Sequence, residues 1–313
     1  MSIQSHRNQQ NFLNRFSKSL ILCVLIGFIC IIARAQGYEN LSQLNGHATK
    51  VYFTPGSEMK AKRIAGQLDK VIAFYNKRIQ FSPSVTLLIL SSGDWNKYSK
   101  SVVYGMPHYT DNKTLIVASE NNDFWNSFIP PLDKMPDEYA SQIRAIYADK
   151  KGGLTMEPFF DLLAIHELGH AYHIQDSLLM QRNWMGELFV NIFLHSYIAE
   201  NEPGLLPALT MFPKMVVSTT DRATLKHTTL KDLETFYNEL AQKHPRNYGW
   251  YQCRWHVAAE NIYNKAGLPA FEKLWLTLKA QREILDDPSF ATMLSEKVDQ
   301  SVANVQLEWD NLK

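Results

Sequence analysis

The stretch that decides the fold of this 313-residue chain is DLLAIHELGHAYH, residues 161–173. Apolar residues occupy almost every turn of it, and the apolar character extends back to Glu157, which is typical of a helix buried on all sides. This run contains three polar residues, His166, Glu167 and His170. Burying such side chains without partners is unfavourable. The stretch therefore predicts a buried helix whose polar side chains share a common partner.

The spacing of the polar residues indicates what that partner is. His166 and His170 are four positions apart, so on a helix they lie about 40° apart around the axis and about 6 Å apart along it. Both imidazoles can therefore reach one ion, while Glu167, about 100° further round, can reach a water beside that ion. Two zinc ligands and a general base are the chemical content of the HExxH pattern. The alternative is a pair of hydrogen-bonded core histidines.

HELGH, followed from Trp184 by WMGELFVN, resembles the gluzincin branch of the zincin metallopeptidases. In that branch a glutamate on the next helix is the third metal ligand, and the resemblance implies this role for Glu187. It also implies that Asn191 orients the first histidine from outside the metal's ligand set. A Zn²⁺ cofactor, a zincin-like fold and hydrolysis of a peptide or protein substrate follow from the same resemblance.

Two other residues compete for the place of third ligand. A metzincin has a glycine and a third histidine after HExxH, but here AYHIQD follows His170, which breaks that pattern. His173 lies about 4.5 Å further along the helix axis than His170. It is therefore expected to lie beside the metal ligands without being one of them. Glu200 is expected at a helix end as a solvated charge. Glu187 is preferred because large apolar residues flank it, so full exposure is not expected.

A hydrogen-bond donor for the oxyanion is expected in NYGWYQCRWH, residues 247–256. The resemblance points to Tyr251, because related domains often place a tyrosine ahead of a helix that ends in glycine. Tyr248 and His256 are close rivals. Aromatic packing in a helical core accounts equally well for any one of these residues. Cys253 is expected to be a buried thiol and not a nucleophile.

Apolar runs and helical periodicity outline the rest of the chain. Two buried strands are predicted, VTLLIL at 85–90 and TLIVA at 114–118, after an amphipathic helix from Ser57 to Ile79. Residues 201–214 hold three prolines and a glycine and are predicted to form a loop. The back half shows no strand pattern, and its predicted helices span 184–199, 229–244, 250–265, 270–282 and 288–311.

The predicted class is α+β and zincin-like, with a small mixed β-sheet, helices in front and a helical C-terminal half. The predicted divisions are a signal peptide at 1–35, an α+β subdomain at 36–176 that includes the HELGH helix, and a helical subdomain at 177–313. In gluzincin-like domains an edge strand pairs with extended substrate, and the strand at 114–118 is a candidate for that role. A plain core strand is the alternative.

The first 35 residues are typical of a secretory signal peptide. Basic residues precede the apolar run at 20–33, and a small-x-small site stands before Gln36. Cleavage after Ala35 and a secreted or periplasmic location are predicted. The alternative is a membrane anchor, but an apolar run of about 14 residues is short of the roughly 20 that a transmembrane helix needs. A membrane partner is expected only if this segment stays uncleaved.

The amino-acid composition argues against two classes of protein, nucleic-acid binders and disulfide scaffolds. Lys and Arg number 32 against 31 Asp and Glu, a balance that argues against nucleic-acid binding. Only three cysteines are present, so a disulfide scaffold is excluded. Three functions remain: an exported zinc-dependent peptidase, a non-catalytic zincin-fold binding protein, and a zinc hydrolase of a non-peptide amide. Glu167 favours an enzyme, because a purely structural metal site needs no general base.

Overall fold

The computed structural model describes residues 37–311 apart from Val102 and Pro131. The predicted signal peptide at 1–35 lies outside the described residues. In the described part of the chain, every strand precedes residue 119 and helices dominate the second half, which confirms the α+β class. The strands are β1 (Ser42–Leu44), β2 (Lys50–Phe53), β3 (Thr86–Leu90), β4 (His108–Tyr109) and β5 (Thr114–Ala118).

The strands form one mixed sheet in the order β1-β2-β3-β5-β4. Strands β2, β3 and β5 run parallel, and β1 and β4 are antiparallel at the two edges. Buried parallel strands have continuous apolar sequences, and β3 and β5 therefore match the strands predicted at 85–90 and 114–118. The remaining strands are two to four residues long and too short to show a pattern.

The position of β5 in the sheet corrects one expectation. This strand is buried along its whole length and hydrogen-bonds to β3 on one side and β4 on the other. It is therefore a core strand, and the expectation of a substrate-pairing edge at 114–118 is wrong. The edge on that side of the sheet is β4.

The helices account for most of the chain after β3. In the described residues the α-helices are α1 (Glu58–Ile79), α2 (Ser92–Tyr98), α3 (Asp123–Asn126), α4 (Asp137–Tyr147), α5 (Glu157–Gln175), α6 (Asn183–Asn201), α7 (Leu206–Thr219), α8 (Leu230–Lys243), α9 (Pro245–Ala266), α10 (Leu268–Ala280), α11 (Asp287–Lys297) and α12 (Gln300–Leu307).

Helix α7 overlaps the predicted loop at 201–214, so that prediction is wrong. Pro207 lies in the first turn of α7, where a missing N–H costs nothing. Pro213 lies inside the helix, where it cannot make the usual backbone hydrogen bond. Burial of Leu209 and Phe212 in the core offsets that loss. Prolines that occur at helix starts therefore resemble loop signals when only the sequence is read.

The C-terminal helices follow the sequence signals with two differences. The capping box between Thr229 and Asp232 is present at the start of α8. Helix α9 begins at Pro245, five residues earlier than predicted, because proline suits a first helical turn. It ends where expected, at Gly267 with φ +63°. The helix predicted over 288–311 is divided, because Asp299 caps a new helix, α12, with its side chain.

Helices α5 and α6 lie at the centre of the molecule. Helix α5 packs between β5, α1 and α6, and α6 also contacts α7, α8, α9 and α10. The sheet and these helices contribute to one hydrophobic cluster. The predicted boundary between residues 176 and 177 falls in the turn that joins α5 to α6. Across the described residues, none of the helices combines the length and the apolar character needed to cross a membrane.

Candidate metal centre

Helix α5 presents the HExxH residues on one side. Pro158 stands in its first turn, and the helix is apolar nearly all round, which explains its central position. The rings of His166 and His170 have centroids 5.1 Å apart. His166 is buried, whereas His170 and Glu167 are partly exposed. The two histidines therefore face one point from a rigid, buried element.

Helix α6 brings Glu187 to the same point. His166 Nε2 lies 3.6 Å from Glu187 Oε2, and His170 Nε2 lies 4.0 Å from Glu187 Oε1. One nitrogen from each ring and one carboxylate oxygen all lie within 4.8 Å of one another. The structure thus brings together the three residues predicted as metal ligands, although they come from two helices.

The close approach of α5 and α6 depends on Gly169. A Cβ atom at this position would lie 3.0 Å from Val190 Cβ and 3.2 Å from Phe193 Cδ1. Contacts of that length are tighter than packed side chains accept. The glycine within HELGH therefore sets the distance between the histidine pair and Glu187.

The electrostatic surroundings separate the two glutamates. Burial, followed by the nearby negative charge of Glu187, raises the pKa of Glu167 well above its usual range. Burial acts in the same direction on Glu187, but His170, His166 and two hydrogen-bond donors lower its pKa overall. Glu187 therefore has the more acidic carboxyl group of the two.

The other ring nitrogens of the two histidines differ in their surroundings. A hydrogen bond of 2.9 Å joins His170 Nδ1 to His173 Nε2. His166 Nδ1 and Asn191 Oδ1 are buried and make no hydrogen bond of normal geometry to any described residue. The Asn191 side chain nevertheless raises the pKa of His166, against the stronger lowering effect of burial. Asn191 thus lies beside the histidine that it was predicted to orient, and His173 contacts a ligand without joining the metal group.

Two residues that the sequence did not single out contact Glu187. The Tyr237 hydroxyl donates to Glu187 Oε1 at 2.8 Å, and Gln252 Nε2 donates to Glu187 Oε2 at 3.1 Å. Tyr237 lies on α8 and Gln252 on α9. A helix was predicted over each of them, but nothing in the local pattern distinguishes them from their neighbours.

The three residues proposed as oxyanion donor differ in their position relative to the candidate metal centre. Tyr251 does not join the metal centre, because its hydroxyl donates to the Thr229 carbonyl at 2.6 Å and its ring stacks on Trp309. Tyr248 lies one helical turn before Gln252 on the same face of α9, and Gln252 contacts Glu187. Burial, followed by the charges of Glu187 and Glu167, raises the pKa of Tyr248. His256 lies behind the centre, with its ring centroid 6.4 Å from that of His166.

Two further expectations concern residues outside the centre. Glu200 is exposed at the end of α6, where its carboxylate accepts a hydrogen bond from Tyr263, so it is no rival to Glu187. Cys253 is a free and buried cysteine, and burial raises the pKa of its thiol far above the ordinary value. A thiol in that state is a poor nucleophile.

The chain was also compared with known proteins. No protein-family model matches the chain, and no curated protein matches it at a significant level. The geometry of the site is therefore the basis for proposing a function.

Proposed function

We propose that this protein is an exported, zinc-dependent metallopeptidase of the gluzincin type. The observation that carries the proposal is the convergence of His166, His170 and Glu187, with Glu167 beside them but outside the group. This is the arrangement that a metal-assisted hydrolase needs, namely three protein ligands with a general base next to the remaining coordination position.

The spacing of the donor atoms supports a bound ion. Three ligands at tetrahedral Zn–N and Zn–O distances lie about 3.4 Å from one another. The histidine–glutamate separations, 3.6 Å to Oε2 and 4.0 Å to Oε1 of Glu187, are near that value and too long for hydrogen bonds. One atom from each of the three residues gives a set within 4.8 Å. Two imidazoles and a carboxylate form a donor set that is common in catalytic zinc sites. The residues present therefore fit zinc.

The residues of the chain then have distinct roles in peptide hydrolysis. When bound, zinc supplies Lewis acidity, which lowers the pKa of a water to about 7 and stabilises negative charge. Glu167 accepts the proton of the attacking water and passes it to the leaving amine. Tyr248 is the residue we assign as donor to the oxyanion, in place of Tyr251. His166 and His170 hold the ion on α5, and Glu187 holds it from α6.

Substitution of Glu167 by glutamine tests the proposal. The variant keeps the size and position of the side chain but removes its basicity, so we expect zinc content to persist while hydrolysis of a broad peptide library falls by several orders of magnitude. Glu200→Gln is the matched control, because it removes an exposed carboxylate at the far end of α6. Absence of stoichiometric zinc from the purified mature chain, by elemental analysis, would overturn the proposal.

The proposal of export depends on the N-terminal sequence. We expect the chain recovered from the producing cell to begin at Gln36, after cleavage beyond Ala35. N-terminal sequencing of the protein expressed with its own leader tests this directly. A chain that retains residues 20–33 and sediments with membranes would support the anchored alternative.

A further inference from the structure

The Glu187 carboxylate is held by two donors that belong to neither α5 nor α6. Each of its oxygens accepts one hydrogen bond, from Tyr237 on α8 and from Gln252 on α9. Glu187 itself is 5% exposed, so both contacts form inside the protein. A carboxylate offers about four acceptor positions, and two of them remain for other partners. The two donors therefore fix the carboxylate without exhausting its capacity to bind an ion.

The attachment of α8 explains how Tyr237 reaches this position. Three residues before Tyr237, Glu234 accepts hydrogen bonds from the Trp184 amide and the Asn183 side chain, both at 3.0 Å, at the start of α6. Tyr237 follows Glu234 by three residues, across the non-helical backbone of Phe236. A carboxylate is also favourable at a helix N-terminus.

Polar contacts add to the apolar packing of α8, in which Leu230, Phe236 and Tyr237 are partly buried against the hydrophobic core. On α8 only Leu233 and Leu240 are buried among the hydrophobic residues, so the helix presents most of its surface to solvent. Phe236, the residue before Tyr237, has non-helical backbone angles of φ −114° and ψ 15°. This kink occurs at the point where the helix turns Tyr237 toward Glu187.

We infer that Tyr237 and Gln252 are positioning residues for the third metal ligand. The inference rests on the proposed function, since it concerns the ion that Glu187 would hold. A free glutamate side chain samples several rotamers, and ordering it on binding an ion costs conformational entropy. Tyr237 and Gln252 order it in advance, from two separate helices. Hydrogen-bond partners of metal ligands contribute to metal affinity in the same way.

A competing role for Tyr237 is that of oxyanion donor, because its hydroxyl also lies within the field of Glu167. The two roles differ in what they affect. A positioning residue changes the affinity for the ion in the absence of substrate. An oxyanion donor changes kcat and leaves the affinity for the ion unchanged.

The test uses three tyrosine-to-phenylalanine variants of the mature chain and measures zinc affinity by competition with a chromophoric chelator. Tyr237→Phe removes the hydroxyl on Glu187, and we expect zinc to bind about 10- to 100-fold more weakly. Tyr251→Phe is the matched control, because it removes a hydroxyl that bonds the Thr229 carbonyl. Tyr248→Phe separates oxyanion donation from positioning. Tyr251→Phe is expected to keep the wild-type affinity, whereas Tyr248→Phe is expected to lower kcat by more than it lowers the affinity, because Tyr248 contacts Gln252.

A spectroscopic readout accompanies the affinities. With Co²⁺ in place of zinc, the visible absorption bands report the ligand geometry, and we expect them to change in Tyr237→Phe but not in Tyr251→Phe. Gln252→Ala should weaken zinc binding in the same direction, since it frees the other oxygen of Glu187. If Tyr237→Phe does not fold, Gln252→Ala decides by the same criteria.

The outcomes distinguish this inference from the function on which it rests. If the wild-type chain binds no zinc, the proposed function fails and the inference fails with it. If the wild type binds zinc and both Tyr237→Phe and Gln252→Ala bind it within about twofold of the wild type, only the positioning role is overturned, because a genuine partner is expected to contribute tenfold or more. A loss of kcat in Tyr237→Phe at unchanged zinc affinity also overturns it and assigns the oxyanion role instead.

Discussion

Gly169 and Val190 face each other where α5 crosses α6, and a methyl group on Gly169 would lie 3.0 Å from both Cβ and Cγ1 of Val190. The space between the two helices at this point is therefore filled by the Val190 side chain and leaves no room for a side chain at position 169. The crossing lies one residue before His170 and three residues after Glu187, so the packing of the helices and the assembly of the candidate metal centre depend on the same contact.

Gly169→Ala is expected to destabilise the fold and to weaken zinc binding. Overpacking of a filled core costs about 1–3 kcal/mol, and relief of the clash moves the histidines away from Glu187. Gly66→Ala is the control, because nothing lies within 4 Å of a Cβ at that position on α1. There alanine should stabilise the chain by about 0.5–1 kcal/mol. Denaturant unfolding and zinc titration measure both effects, and equal stabilities of the two variants would contradict this account.

Asp161→Ala is expected to be strongly destabilising. Asp161 on α5 pairs with Lys60 on α1, and both side chains are buried. Lys60 also pairs with Glu157 at 2.8 Å, so removal of Asp161 takes away one of its two partners and should cost about 1.5–3 kcal/mol, the value of a hydrogen bond between charged groups. The exposed pair between Glu58 and Lys62 provides the comparison, since its loss should cost less than about 1 kcal/mol. Urea denaturation at neutral pH measures both changes, and a loss below 1 kcal/mol in Asp161→Ala would show that Glu157 alone compensates the charge of Lys60.

His173 is expected to support His170 through the bond between their rings. If His170 Nε2 binds the ion, Nδ1 carries a proton and His173 Nε2 accepts it. His173→Phe keeps the ring contact with Phe189 but loses the acceptor, so zinc affinity should fall about tenfold or more. His173→Gln retains an acceptor and should recover most of the affinity. Equal affinities for the phenylalanine variant and the wild type would refute the role.

The capping box of α8 gives an expected dependence of stability on pH. Partial burial tends to raise the pKa of Asp232, but the backbone N–H groups of Thr229 and Thr228 lower it below the usual value. A group with a depressed pKa in the folded state stabilises the fold above its unfolded pKa of about 3.9 and loses that contribution as the pH falls through the folded pKa.

Asp232→Ala should therefore cost about 0.5–2 kcal/mol at pH 7, as is usual for a lost helix cap. The difference between the wild type and the variant should shrink when both are unfolded by urea at a pH below the folded pKa. Thr235→Ala is the control, because its hydroxyl bonds only within the same helix, to the Lys231 carbonyl. A difference that stays constant from pH 7 to the acid limit would show that the carboxylate charge does not contribute.

The parts of the fold that could be predicted from the sequence are those that have a local sequence pattern. Strands β3 and β5 are short apolar runs between turn residues, and the HELGH helix has two histidines at the spacing of one helical turn. These signals are complete within a few residues. Helix α7 was mispredicted because prolines in a first turn and in a loop are identical in sequence, and only the burial of Leu209 and Phe212 decides between them.

The outer contacts of the site could not be predicted because they join distant parts of the chain. Tyr237 and Gln252 are 50 and 65 residues from Glu187, and no periodicity connects positions so far apart. The choice among tyrosines on α9 depends on helix rotation. Tyr248 and Gln252 are four positions apart and share a face, whereas Tyr251 lies about 100° round from Gln252. Tyr251 therefore turns toward Trp309 and away from the centre.

The short edge strands of the sheet affect the tendency of this protein to aggregate at high concentration. Strand β4 has two residues and β1 has three, so each border exposes little unpaired main chain. Long, flat borders act as templates for intermolecular strand pairing and for fibril growth, and natural proteins avoid this hazard by keeping their outer strands short. Edge-to-edge aggregation of this sheet is accordingly disfavoured.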